Sequence, residues 1–210
     1  VVVFLLAPLV VAGPGRDRIL RWSAMRSLLY FVAIGLGFIL TEIALIQVFV
    51  LYLGHPVYAL AVVLSCVLVS AGLGSLATRR FDHQTGRGRG TVVLVATAAL
   101  ILVIAVALPE VFRATFGGVL AARVAISCAM VAPLGFLLGQ PFPLELKVLE
   151  ANARENIPWA WALNGAASVM GSVAAVVVAM LWGFPVVLAA GAACYLVALL
   201  VRGSLTLAVR

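Results

Sequence analysis

Hydrophobic residues follow one another along this chain in long runs, which short polar segments rich in Gly, Pro and Arg interrupt. Several runs approach or exceed the ~18 apolar residues that mark a bilayer-spanning helix. We therefore predict about seven transmembrane helices, at 1–12, 27–53, 57–78, 91–108, 119–138, 158–182 and 185–201. The first is only part of a span, because its helix would be about 18 Å long against a hydrocarbon core of ~30 Å.

The polar segments predict the connections between these helices. Gly54, His55 and Pro56 leave room only for a tight turn, as do Gly183 and Phe184, because Gly and Pro interrupt helices. The segment 79–90 is polar, basic and glycine-rich, which predicts a loop.

The longer connection 139–157 has a mixed pattern, in which apolar and charged residues would occupy different sides of a helix. The apolar set is Leu144, Val148, Leu149 and Ala151, and the charged set is Glu145, Lys147, Glu150 and Arg154. This arrangement predicts a helix along the membrane surface, with an ordinary polar loop as the alternative.

Composition excludes a soluble protein. Hydrophobic residues make up 65% of the 210 and charged residues only 10%, with a mean hydropathy of +1.24. Soluble domains contain roughly 45–50% apolar and about 25% charged residues. We therefore expect an all-α, polytopic transmembrane bundle that forms one domain over 1–210 and has the lipid bilayer as its surroundings.

The distribution of charge predicts the orientation of this bundle. Twelve of the fourteen Lys and Arg residues fall in the connections after the first, third and fifth helices or in the tail after the last. Cytoplasmic loops of membrane proteins carry such an excess. We expect a cytoplasmic C-terminus and an external Gly54 turn. Attraction to the anionic inner leaflet explains the net charge of +7 without a nucleic acid partner.

The residue types that carry catalysis or bind metal are scarce. Cys66, Cys128 and Cys194 stand singly in three apolar runs, and His55 and His83 lie in different connections. No metal-ligand spacing or cofactor motif follows from them, so we expect neither a metal nor a cofactor. Whether the whole protein is an enzyme stays open, since the chain opens inside an apolar run and is expected to be part of a longer protein.

Four polar residues inside the runs form the candidate site: Glu42, Arg123, Gln47 and Asn164. An ionisable group at this depth costs at least ~2.5 kcal/mol, so Glu42 should face the bundle interior and have a partner. Arg123 is the candidate partner, offset along the membrane normal by roughly 9 Å. The pair would handle protons or substrate, or would only fix helix order. As a further alternative, Arg123 extends towards the outer surface.

The amides of Gln47 and Asn164 are expected to bond across helices. Gln47 lies about 140° round the helix from Glu42, so one pocket should not use both fully.

Small residues suggest where helices approach closely. Ala167, Gly171 and Ala175 recur every four residues, a spacing that favours helix packing. The clusters 35–37 and 135–139, the second with Pro133 before it, could alternatively interrupt their helices, as in transporters.

Four strings resemble parts of a known family. They are GLGFILTEIALIQVFVLYLGHPVYALAVVL at 35–64, SAGLGSL at 70–76, PLGFLLGQPFPLELKVLE at 133–150 and IPWAWALNGAASVMGSVAA at 157–175. Together they resemble the C-terminal membrane region of bacterial proteins described as spermidine synthase-like, or as fusions of a major-facilitator-like part with such a domain. The resemblance implies residence in the bacterial cytoplasmic membrane and a nucleotide-fold domain upstream, fused or associated. It assigns no catalytic residue to this chain.

Two functions follow as hypotheses. The first is a non-catalytic membrane domain or subunit that anchors or serves a spermidine synthase-like enzyme or a larger membrane complex. The second is a transport module for a small cationic or amphipathic solute, such as a polyamine, in which Glu42 and glycine-interrupted helices form the path. A membrane-embedded enzyme is disfavoured, because one Glu and one Arg do not make an acid, a base and a nucleophile.

Overall fold

The computed structural model describes residues 22–80 and 83–207. It contains seven α-helices in this part of the chain and no strand: α1 Trp22–Leu53, α2 Pro56–Ala77, α3 His83–Thr115, α4 Leu120–Leu138, α5 Pro141–Asn152, α6 Ile157–Trp182 and α7 Phe184–Leu207. Short 3-10 helices follow α2 at Thr78–Arg80 and α5 at Arg154–Asn156. The predicted segment 1–12 lies outside the described residues.

Six apolar segments are long enough to cross a bilayer: Met25–Leu53, Pro56–Arg80, Gly88–Thr115, Leu120–Asn152, Arg154–Trp182 and Phe184–Arg202. Each corresponds to all or most of one of the six long helices, and the fourth segment also includes α5. The chain is therefore an all-α, multi-pass membrane protein, as predicted.

Helix α3 is longer than the helix that the pattern predicted over 91–108. The segment before residue 91 was expected to be a loop, but α3 begins at His83 and continues past Pro109 to Thr115. Proline removes one backbone hydrogen bond. The turn beyond it is held by tertiary packing, since the Phe112 ring stacks on Tyr52 with centroids 4.1 Å apart. This contact between distant residues outweighs the local signal.

Helix α1 lies at the centre of the bundle, with α6 and α7 packed on opposite sides. Gly37 contacts Tyr195 of α7, whereas Gly35 contacts Asn164 of α6. Two residues of helix turn by about 200°, so these glycines face opposite ways. Helices α2 and α4 form a second closely packed pair, and α3 packs on α7. The core around α1 contains Phe31, Leu45 and Phe49, which are fully buried.

The two ends of the bundle differ in chemistry. At one end, which we call the turn end, Tyr52 of α1 bonds Thr115 of α3 through their hydroxyls at 2.6 Å. At the other, which we call the basic end, Tyr30 of α1 donates to the carbonyl of Pro141 at 3.2 Å. Helix α5 therefore lies at the basic end, which also receives the end of α2 and Arg202 of α7.

Both predicted tight turns are confirmed. Gly54 has φ +79° and Gly183 has φ +86°, left-handed conformations that glycine adopts without a steric penalty. His55 then caps α2, since its Nδ1 accepts a hydrogen bond from the backbone N–H of Val57 at 3.3 Å.

The glycine clusters pack and do not interrupt their helices, so the alternative of interrupted helices is wrong. Helix α1 is continuous through Gly35 and Gly37, and α4 is continuous through Pro133 to Leu138. Instead, Gly139 lies against the backbone of Ala71 in α2. Small side chains here allow two backbones to approach each other.

The predicted packing stripe of α6 is confirmed. Ala167, Gly171 and Ala175 are all buried. A Cβ atom added to Gly171 would lie 2.5 Å from the Cγ2 of Ile39 on α1, so no larger side chain fits this contact.

The connection 139–157 forms a helix, α5, but its charged residues do not all face away from the protein. Leu144 and Leu149 of the predicted apolar side are buried, but Ala151 of that side is exposed, and Glu145 of the predicted charged side is buried. Lys147 donates from Nζ to the carbonyl of Thr78 at 2.7 Å. The assignment of these two residues to an outward polar side is wrong, because each has a partner on a neighbouring helix that the local pattern does not reveal.

Candidate functional site

Glu42 lies inside the bundle, as predicted. Its side chain is on the interior side of α1 and the residue is only 7% exposed. The carboxyl oxygen Oε1 is buried and has no hydrogen-bond partner. A buried polar atom normally has one, because leaving it unsatisfied costs about 1–3 kcal/mol. Glu42 thus has one buried oxygen that lacks a hydrogen bond, as does the buried Nε atom of Arg123.

Arg123 does not pair with Glu42, so the predicted ion pair is wrong. The guanidinium donates from an Nη atom to the carbonyl of Tyr52 at 2.9 Å. It also lies over the ring of Phe116, 5.8 Å from the centroid. Tyr52 follows Glu42 by ten residues, which places it about 15 Å further along α1.

The position of Arg123 explains what it does in the fold. The last carbonyls of a helix have no partner within that helix, and they carry partial negative charge. Helix α1 ends at Leu53, so the carbonyl of Tyr52 is one of these groups. Arg123 therefore caps α1 at the turn end, a structural role.

The two amide side chains of the candidate site lie in different surroundings. Gln47 is exposed on the outside of the bundle and takes no part in an interior site, as its 140° offset from Glu42 indicates. Asn164 faces α1 and donates from Nδ2 to the carbonyl of Phe31 at 2.9 Å. Of the four predicted residues, Glu42 of α1 and Asn164 of α6 are thus the two that face inwards between helices without capping a helix end.

A cavity of about 300 Å³ lies beside α1 near the basic end. Helices α1 and α6 contribute most of the wall, the α4–α5 junction closes one side, and α7 contributes Tyr195. Four of the eleven residues that line it are aromatic, namely Phe38, Phe142, Trp161 and Tyr195. Phe142 and Trp161 meet edge to face with ring centroids 4.5 Å apart. No Lys, Arg or His lines this cavity.

One wall of the cavity carries polar atoms. Ser168 donates to the carbonyl of Asn164 at 3.0 Å and lies 3.4 Å from the carbonyl of Gly35. Asn164, whose Nδ2 donates to Phe31, is the other polar residue on this wall.

Glu42 lies one helical turn beyond this cavity. It follows Phe38 by four residues and Gly35 by seven, spacings that place all three on the same face of α1. Side chains on a helix lean towards its N-terminus, which for Glu42 is the direction of Phe38. Glu42 nevertheless does not line the cavity, and its Oε1 is enclosed by protein.

A buried ion pair at the basic end escaped the sequence analysis. Arg202 of α7 donates from Nε to Oε2 of Glu145 at 2.7 Å, and the two side chains are 8% and 6% exposed. The guanidinium lies against Gly90 of α3, where a Cβ atom would collide with it. The sequence offers only a weak signal, an acidic residue amid leucines and an Arg at the end of an apolar run.

Within the described residues, no group of three or more His, Cys, Asp or Glu is placed to hold a metal ion. The three cysteines are half-buried thiols, and Cys66 lies with its Sγ 3.6 Å from the carbonyl of Cys128. Comparison with protein-family models, with curated proteins and with solved structures finds no match to this chain.

Proposed function

We propose that this chain is a non-catalytic domain of the bacterial cytoplasmic membrane that anchors or serves a spermidine synthase-like enzyme or a larger complex. Its basic end, with the C-terminus, faces the cytoplasm. The observation that carries this proposal is the fixed position of α5 at that end. The family resemblance of the four strings at 35–64, 70–76, 133–150 and 157–175 supports the choice of enzyme.

Three contacts from different helices hold α5. Tyr30 of α1 binds the first residue of α5, Glu145 pairs with Arg202 of α7, and Lys147 binds the last turn after α2. The first two of these contacts are buried. A short helix between two membrane spans would otherwise move with its loops. Held in this way, α5 gives the domain a rigid surface at its basic end.

The exposed part of that end carries charge suited to the cytoplasm. Arg79 and Arg80 are exposed after α2, and Arg154 is exposed in an ion pair with Glu150 at 2.8 Å. Exposed basic residues next to a membrane span favour the cytoplasmic side and its anionic lipids.

The test is co-purification with the synthase-like protein encoded in the same reading frame or beside it. Reversing the charges of the exposed pair, with Glu150→Lys and Arg154→Glu together, should change the melting temperature by no more than about 4 °C, because exposed pairs contribute at most ~1 kcal/mol. It should weaken retention of the enzyme on membranes. An enzyme that stays soluble beside the wild-type chain would contradict the proposal.

A second candidate is a module that transports a small cationic or amphipathic solute such as a polyamine. The buried carboxyl oxygen of Glu42, which has no hydrogen-bond partner, favours it. Uptake of labelled spermidine by proteoliposomes tests it, and Glu42→Gln should abolish uptake. A Glu110→Gln variant is the control, since Glu110 is an exposed carboxylate at the turn end.

A further inference from the structure

We propose that the cavity beside α1 binds an uncharged, lipid-soluble molecule that presents a carbonyl oxygen to the hydroxyl of Tyr195. The apolar part of this ligand lies among the rings of Phe38, Phe142 and Trp161. Such a site goes beyond both candidate functions, because binding here requires neither attachment of an enzyme nor transport. Two features of the molecule support it, namely the uncharged lining of the cavity and the state of one buried hydroxyl.

The lining of the cavity selects an uncharged ligand. Within the part of the chain that the structure describes, none of its eleven lining residues is Lys, Arg, His, Asp or Glu. A charged group that entered this site from water would find no opposite charge. Burial of an unpaired charge costs far more than burial of an uncharged polar group. Ammonium and carboxylate ligands are therefore both disfavoured.

The polar group of the ligand follows from three interior tyrosines. Tyr30, Tyr52 and Tyr195 are all at most 1% exposed. Tyr30 donates to the carbonyl of Pro141, and the hydroxyl of Tyr52 shares a hydrogen bond with that of Thr115. Among the residues that the structure describes, the hydroxyl of Tyr195 has no such partner. Of the three tyrosines, Tyr195 is the one that lines the cavity.

The hydroxyl of Tyr195 therefore needs an acceptor, and the cavity is where an acceptor can bind. A buried tyrosine hydroxyl normally has a partner, because burial without one forfeits the hydrogen bonds that water would make. Among the described residues, the enclosed side-chain atoms without a partner belong to Glu42 and Arg123. The oxygen of Tyr195 is not enclosed in this way, so it is open to a molecule in the cavity. A carbonyl oxygen accepts hydrogen bonds and carries no charge, which suits both the hydroxyl and the lining.

The size and the route of the ligand follow from the other walls. A volume of about 300 Å³ is at the lower end of the ~300–1,000 Å³ typical of ligand pockets, so the ligand is small. The aromatic side chains of the wall favour a flat apolar body. Trp161 lines the cavity and is also 58% exposed on the outside of the bundle, so the cavity wall reaches the outer surface. An uncharged molecule dissolves in the bilayer, and we expect it to enter from the lipid.

The experiment compares four probes of nearly equal size on the purified chain in nanodiscs. Acetophenone carries the carbonyl, isopropenylbenzene has a methylene group in place of that oxygen, and benzoate and benzamidinium carry opposite charges. Equilibrium dialysis against empty nanodiscs gives the concentration of each probe in the lipid, to which its affinity is referred. Acetophenone should bind saturably and at least about fivefold more tightly than isopropenylbenzene, which corresponds to ~1 kcal/mol.

The same four probes can contradict the proposal without any mutation. Equal affinity for acetophenone and isopropenylbenzene would mean that the hydroxyl of Tyr195 does not select the ligand. Absence of saturable binding would mean that only water or lipid chains fill the cavity. Benzoate and benzamidinium should not bind, and saturable binding of either ion in this cavity would contradict an uncharged site.

Tyr195→Phe removes only the hydroxyl. It should lower the affinity for acetophenone at least about fivefold and leave the affinity for isopropenylbenzene unchanged. The melting temperature of this variant without ligand should not fall, because its hydroxyl has no partner to lose within the described residues. Tyr52→Phe is the matched control, since it removes a bonded hydroxyl at the turn end and should lower the melting temperature without changing binding. Unchanged acetophenone affinity in Tyr195→Phe would exclude this hydroxyl as the donor.

Trp161→Ala tests whether the probes occupy this cavity. It should weaken both uncharged probes, because it removes part of the wall. Trp182→Ala, which changes an exposed Trp at the turn end, should weaken neither. Equal effects of the two variants would place the probes on the outer surface of the bundle and exclude this cavity.

Bilayer lipids also carry carbonyl oxygens in their esters, so two sources of ligand share this chemistry. Nanodiscs of ester lipid and of ether lipid, which lacks these carbonyls, distinguish them. Equal acetophenone affinity in both supports a free molecule as the ligand. Binding that is at least about fivefold tighter in ether lipid supports the ester of a bilayer lipid as the occupant of the same site. None of these measurements depends on enzyme retention or on uptake, so their failure would leave both candidate functions standing.

Discussion

Arg202 and Glu145 are 57 residues apart in sequence, yet their side chains form an ion pair of 2.7 Å in the interior of the basic end. The pair joins the last described helix to the short helix α5. Gly90 of α3 makes room for the guanidinium, so a third helix takes part in the arrangement. This relationship makes α5 part of the folded core.

We expect the two partners to be energetically coupled. Glu145→Gln or Arg202→Gln alone leaves an uncompensated buried charge, which costs about 3–5 kcal/mol. The double replacement should cost less than the sum of the two. A double-mutant cycle on thermal stability in detergent measures this coupling. Strict additivity would show that the pair contributes nothing to the fold.

Gly171→Leu should destabilise the bundle much more than Val177→Leu. Gly171 faces Ile39 of α1 without space for a side chain, whereas Val177 is 49% exposed on the same helix. Overpacking of a close contact typically costs about 1–3 kcal/mol. The melting temperatures of the two variants in the same detergent provide the comparison, and equal values would mean that this face of α6 lies against lipid.

Arg123→Ala should weaken the turn end more than Arg113→Ala does. Arg123 caps a carbonyl of α1 from α4, and a hydrogen bond from a charged group contributes about 1.5–3 kcal/mol. Arg113 is exposed and pairs only with Glu110 on its own helix, which contributes at most ~1 kcal/mol. Unfolding of each variant in detergent measures the difference, and a loss that is no larger for Arg123→Ala would argue against the cap.

Glu42→Gln and Arg123→Ala should act independently, because the two side chains bind no common partner. The loss in the free energy of unfolding of the double variant should equal the sum of the two single losses within about 0.5 kcal/mol. A coupling well beyond that value would restore the ion pair that the structure does not contain.

Single cysteines should report the orientation of the bundle. In a chain whose native cysteines are replaced by Ala, Gly88→Cys at the basic end and Gly117→Cys at the turn end are matched sites, since both glycines are exposed with open space around them. A membrane-impermeant maleimide on intact cells should label only Gly117→Cys, because the basic residues hold the other end in the cytoplasm. The reverse pattern would contradict the topology and with it the proposed function.

The sequence by itself determined the class of the protein and its spans. A bilayer requires about twenty apolar residues in a helix with all its backbone groups paired, so hydropathy and length are sufficient to locate α1, α2, α4, α6 and α7. Glycine and proline located the turns at Gly54 and Gly183, because the backbone there needs a conformation that other residues avoid. The burial of Glu42 followed from the cost of exposing a carboxyl to lipid.

Only the tertiary structure decided which residues meet. In a soluble helix the polar face reveals the side that faces water. A membrane helix is apolar on its lipid side and on its protein side alike, so hydropathy does not indicate how the helix is rotated about its axis. The partners of Arg123, Glu145 and Lys147 therefore could not be read from the chain, and neither could the length of α3, whose last turns depend on Phe112 stacking with Tyr52. The cavity beside α1 has the same origin, because its wall combines side chains from helices that only packing brings together.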